Sequence, residues 1–84
     1  MTITIDGYLD DSLYSGNEFR FEVKNENGDV LGTITDLVNG RGSCEIVVPS
    51  FEDTTVYISQ IPGNNVMMNY DKAVTEKIIE HIYE

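Results

Sequence analysis

The chain has 84 residues, 15 of them acidic and 5 basic, so its formal net charge is −10 with His81 counted neutral. That length bounds it to a single domain, residues 1–84, with one small core and no room for a deep substrate cavity beside it. The charge argues against direct binding of a nucleic-acid backbone or an anionic membrane, since both need basic side chains; the 40% hydrophobic content argues against disorder.

Read along the chain, strands come first. Thr2 to Ile5 alternates polar and apolar, with Ile3 and Ile5 on one face. Asp6-Gly7 breaks the pattern, and the stretch through Asn17 reads as loop. Tyr8, Leu9, Leu13 and Tyr14 within it either cover a core edge or stand exposed as contacts. Phe19, Phe21 and Val23 then alternate with Arg20, Glu22 and Lys24, the clearest strand in the sequence. Asn27-Gly28 follows, a dipeptide suited to a two-residue type I′ turn. Such a turn predicts that Glu26 faces Asp29, Phe21 faces Ile34 and Val23 faces Gly32. The return strand is expected from about Val30 to Val38. Leu31 and Ile34 differ in parity, so a bulge is expected near Gly32.

Asn39-Gly40-Arg41-Gly42 is a second turn. Ser43 to Val48 carries Cys44, Ile46 and Val48 on one face, and Pro49 ends it because proline cannot donate to a ladder. Thr54 to Ile61 is rich in β-branched and aromatic residues, with Val56 and Ile58 on one side. Pro62-Gly63-Asn64-Asn65 breaks the chain again. Ala73, Val74, Ile78, Ile79 and Ile82 recur at three and four residues, which predicts a helix over about 71–83. The expected fold is therefore α+β: an antiparallel β-meander of four or five strands over about 2–61, with one C-terminal α-helix packed on the sheet.

Chemistry is sparse. His81 falls near the end of the predicted helix, where a cation suits the helix terminus. Cys44 falls on an apolar strand face with no base beside it, so it reads as a core thiol rather than a nucleophile. One His and one Cys do not make a zinc site. An EF-hand alignment through Gly28 puts Val23 and Ile34 where oxygen ligands belong. No metal, cofactor or catalytic set is expected, and the chain reads as a non-enzyme. The lone cysteine rules out an internal disulfide, and Met1 to Asp6 lacks the features of a signal peptide, so a cytoplasmic setting is expected.

The acids are unevenly spread. Asp6, Asp10, Asp11 and Glu18 precede Phe19 with no base among them, and Glu45, Glu52, Asp53 and Asp71 span Gly42 to Asp71 likewise. Glu76, Glu80 and Glu84 would stack about 6 Å apart on a helix. Such an acidic face matches a basic surface on another protein. Asp10, Asp11, Glu52, Asp53, Glu76 and Glu80 are the candidate contacts, with Tyr8 and Tyr14 as aromatic anchors.

In length, charge and strand-then-helix order, the chain resembles the small acidic phage-type inhibitors of bacterial defence, the anti-CRISPR and anti-restriction class. That resemblance implies a non-enzymatic inhibitor, a DNA mimic in the cytoplasm of a host cell, seated on the nucleic-acid-binding groove of a host complex. It carries over no residue roles, because that class shares no single fold. The alternative is a structural or assembly module that self-associates, as a dimer for example, or pairs through a sheet edge.

Overall fold

The computed structural model describes residues 1–61 and 66–75. They form six strands: β1 (Thr2–Tyr8), β2 (Arg20–Lys24), β3 (Val30–Ile34), β4 (Arg41–Val47), β5 (Tyr57–Ile61) and β6 (Asn69–Val74). Two three-stranded antiparallel sheets result, with strand orders β4-β1-β6 and β3-β2-β5.

This overturns the expected α+β meander. No helix occurs among the described residues. Positions 71–74, expected to open the helix, belong to β6, which pairs with β1 from Ile3↔Val74 to Tyr8↔Asn69. The rest of the expected helix, 76–83, lies outside the described residues. The meander fails as well, because only β2 and β3 are both consecutive in sequence and paired. Elsewhere the chain passes from one sheet to the other.

The alternating faces account for the two layers. In β1, Ile3 and Ile5 are fully buried while Thr2, Thr4, Asp6 and Tyr8 line the outer face. In β2, Phe21 and Val23 point in and Glu22 points out. Ile34, Ile46, Val48, Val56 and Met68 complete one core shared by both sheets. Each of these residues removes apolar surface from water, worth about 1.5–3 kcal/mol per large side chain. Glycines leave room for side chains of the facing sheet. Gly7 and Gly42 face each other across β1 and β4. A Cβ at Gly42 would lie 2.8 Å from both Ile34 Cγ2 and Leu37 Cδ2. Ile34 therefore fills the space that two missing side chains leave.

The two Asn-Gly dipeptides take different turns. Asn39 and Gly40 have φ of 53° and 77°, and Val38 and Arg41 exchange N–H···O bonds of 2.9 and 3.0 Å. That is a type I′ hairpin. At Asn27-Gly28, by contrast, only Gly28 has positive φ, 88°. The Asn25 side-chain oxygen accepts from the Asn27 and Asp29 amides at 2.9 Å each. Gly28 N donates to Asn25 O, and Asn25 N to Asp29 O, each at 3.0 Å. The loop thus holds three residues, and Asn25 rather than Glu26 faces Asp29. A bulge between Val23 and Lys24 absorbs Leu31 and shifts the register back, so Phe21↔Ile34 and Val23↔Gly32 form as expected.

β3 ends at Ile34 rather than near Val38 because Asp36 adopts φ 55°, which no strand continues through. β5 begins at Tyr57 rather than Thr54. The segment before it is held instead by Lys72, whose Nζ donates to Phe51 O at 3.0 Å and Thr54 O at 2.7 Å and sits 4.5 Å from the Phe51 ring centroid.

Candidate functional site

The candidate acids divide between the two ends of β1. Asp10 and Asp11 follow its C-terminal end. Asp10 Oδ1 accepts from Asn69 Nδ2 at 2.9 Å, which ties the loop to the start of β6. Asp11 Oδ1 accepts from Leu13 N at 2.9 Å, and Asp11 O from Tyr14 N at 3.1 Å. Glu52 and Asp53 lie in the loop after β4, whose entry is fixed at the other end of β1 by Val48 N donating to Met1 O at 2.9 Å. The seven residues of β1 separate the two pairs by about 20 Å at 3.4 Å per residue. The four acids therefore do not form one patch. Glu76 and Glu80 lie outside the described residues.

The end that carries Asp10 and Asp11 is built from three segments. The 9–16 loop packs on the 38–41 hairpin through Leu9 N donating to Gly40 O at 2.8 Å, and Gly16 bridges Leu37. Residues 66–68 close the third side. Leu9, Asp10, Asp11, Tyr14, Val66 and Met67 line a cleft of about 280 Å³. Met67 and Leu13 are 85% and 84% exposed, the two most exposed large apolar side chains among the described residues. Tyr14 is half-buried against Phe19, ring centroids 5.1 Å apart. Tyr8 stands on the outer face of the β4-β1-β6 sheet, with the Arg41 guanidinium 5.1 Å from its ring centroid. Arg41 also reaches Asp6 at 3.4 Å, and Asp6 faces Asp71 across β1 and β6. Arg41 thus offsets an otherwise repulsive cross-strand carboxylate pair.

Comparison with known protein families, with curated proteins and with solved structures finds no match.

Asp53 opens onto a separate cleft of about 230 Å³ at the far end, floored by Leu31, Val48 and Pro49. Among the described residues no group of three His, Cys, Asp or Glu is placed to hold a metal ion. Cys44 lies on the inner face of β4, where burial pushes its thiol above the ordinary value. That favours the protonated form and opposes nucleophilic use. His81 lies outside the described residues.

Of the residues the sequence singled out, Asp10, Asp11 and Tyr14 line this one cleft, while Tyr8 stands apart on the sheet face beside Arg41. Sequence reasoning missed Met67 and Asn69, which reach the same end from more than 50 positions away in the chain. Their only sequence signal was a Met-Met pair next to a breaker.

Proposed function

We propose that this protein is a non-catalytic binding protein whose Asp10–Tyr14 end docks on a basic surface of a larger protein. The supporting observation is the juxtaposition around one cleft of two carboxylates with the exposed Met67, in a loop that also exposes Leu13. A lysine or arginine of the partner would set its charged head against Asp10 and Asp11 and lay its alkyl stem along Met67 and Tyr14. The formal charge of −10 steers such an encounter and repels nucleic acid. A groove that normally holds DNA or RNA is the partner surface of matching charge, and occupying it would exclude the nucleic acid. This is the inhibitor reading that the small acidic phage-type class suggests, now confined to one end of the molecule.

The test is capture of partners from a nuclease-treated bacterial lysate by tagged protein. Asp10→Asn with Asp11→Asn keeps the loop's side-chain acceptors and removes two charges. Capture at low salt is expected to fall about tenfold or more with this variant, and to be reversed by added DNA or RNA. Glu52→Gln with Asp53→Asn, which removes the same two charges at the other end, is expected to leave it nearly unchanged. Equal loss from both pairs would show that only bulk charge matters and would refute a localised site.

A further inference from the structure

We propose that Asn27 is a covalent modification site, its side-chain amide converting in the folded protein to an aspartyl or isoaspartyl carboxylate while the matching Asn39 is spared. The chain has two Asn-Gly dipeptides, Asn27-Gly28 and Asn39-Gly40. In such a pair the glycine nitrogen can attack the asparagine Cγ, because no Cβ on the following residue stands in the way. The new N–Cγ bond closes a succinimide ring and the Cγ–NH2 bond breaks. The glycine N–H proton passes through water to the departing nitrogen, which leaves as ammonia. Water then opens the ring. Cleavage of the N–Cγ bond gives aspartate; cleavage of the bond to the main-chain carbonyl carbon gives isoaspartate, whose backbone runs through the side chain. Water is the one co-reactant, and nothing is oxidised or reduced.

The fold treats the two sites differently. Ring closure draws the glycine nitrogen out of its turn, so the rate follows how easily that turn opens. At the β2–β3 hairpin, Glu26, Asn27, Gly28 and Asp29 are all exposed, and a Cβ at Gly28 would meet nothing within 4 Å. The bonds that hold this turn are local. Gly28 N donates to Asn25 O at 3.0 Å, and Asn27 N to Asn25 Oδ1 at 2.9 Å. Releasing Gly28 N therefore disturbs no core side chain. At the second site Asn39 is exposed but Gly40 is buried. A Cβ at Gly40 would lie 3.2 Å from both Asp11 O and Ser12 Cα. Gly40 O accepts from Leu9 N at 2.8 Å, and Leu9 belongs to the core. Opening this turn lifts the 9–16 loop from the hairpin and strains the seat of Leu9.

Asn27 lines the far cleft together with Glu26 and Asp53. Conversion replaces an amide that both donates and accepts hydrogen bonds with a carboxylate that only accepts. It also adds one negative charge to the present −10. No enzyme is needed, so the acidic form accumulates with the age of the molecule. The site lies at the opposite end from Asp10 and Asp11 and does not rest on the docking reading, so either can fail without the other.

The experiment is incubation of the full folded chain at pH 8 over days, beside a sample unfolded in guanidinium chloride. Trypsin releases residues 25–41 as one peptide carrying both sites, and fragment masses assign each conversion. The unfolded sample supplies the intrinsic ratio of the two rates. In the folded chain Asn27 is expected to convert about tenfold or more ahead of Asn39 relative to that ratio. Asn27→Gln is expected to abolish the early acidic species on anion exchange, with unchanged circular dichroism. The intrinsic ratio persisting in the folded chain, Asn39 converting first, or an Asn27 that converts only when unfolded would overturn the proposal.

Discussion

Replacing Gly42 by alanine is expected to destabilise the fold, and the reason is steric alone. Gly42 is not at positive φ, so alanine fits its backbone. The added Cβ would lie 2.8 Å from Ile34 Cγ2 and 2.8 Å from Leu37 Cδ2. Ile34 and Leu37 are 0% and 3% exposed, so neither can swing into solvent. Overpacking of this kind costs about 1–3 kcal/mol. Alanine also narrows the unfolded ensemble, which acts in the other direction by about 0.4–1 kcal/mol. The net loss is then about 0.5–2 kcal/mol, and each kcal/mol lowers Tm by about 4–8 °C in a domain of this size. Ile34→Ala alone should cost about 2–5 kcal/mol through the cavity it leaves. The double variant should be less destabilised than the two losses added, because the new methyl enters the vacated space, and a coupling of about 0.5–3 kcal/mol is expected between contacting sites. Urea unfolding followed by far-UV circular dichroism and tyrosine fluorescence measures all three; the chain has 5 Tyr and no Trp. A neutral or stabilising Gly42→Ala, or strict additivity, would refute the close glycine-mediated approach of the sheets.

Two further outcomes are expected. Gly40→Ala should cost more than Gly28→Ala: both sites have positive φ, 77° and 88°, but a Cβ at 40 would also meet backbone at Asp11 O and Ser12 Cα, each 3.2 Å away, whereas none lies within 4 Å at 28. The positive φ alone costs about 1–2 kcal/mol, so thermal melts should rank the two in that order. For Cys44, the folded thiol lies above its ordinary 9.0 through burial, so the unfolded chain loses its proton first as pH climbs. Stability should therefore decline as pH rises through about 9 toward the folded value. That part of the decline should vanish in Cys44→Ala, as urea midpoints at pH 8 and pH 10 would show.

Much of the strand content was legible because burial on one face writes alternation into the sequence. Ile3 with Ile5, Phe21 with Val23, and Ile46 with Val48 all show it, and all are buried. β6 was illegible for a specific reason. Its inward positions are Tyr70, Lys72 and Val74, and a lysine at the centre of that set hides the period of two. Lys72 can face inward only because Phe51 and Thr54 present carbonyls to it, and those residues lie 21 and 18 positions away. With β6 disguised, Ala73 and Val74 joined the isoleucines further on in an apparent helical stripe. Strand order was hidden for a related reason, since β1 pairs with the two distant strands β4 and β6, and local turn chemistry says nothing about such partners. The candidate site was half legible. Asp10 to Tyr14 is a local cluster in the sequence, but Met67 joins it only through the fold, and the separation of Glu52 and Asp53 from it follows from the antiparallel direction of β4.

The β2–β3 hairpin carries two offsets of opposite sense, a three-residue loop at its tip and a bulge at Leu31. Together they leave Phe21 opposite Ile34. The tip is thereby insulated from the core, since a length change of one residue at the loop can be traded against the bulge without moving any buried pair. Insertions and deletions are the changes a β-sheet tolerates least, because one step of slip turns every side chain over. This hairpin has a place where such a change is absorbed, so a one-residue change in its exposed tip should leave the buried register constant.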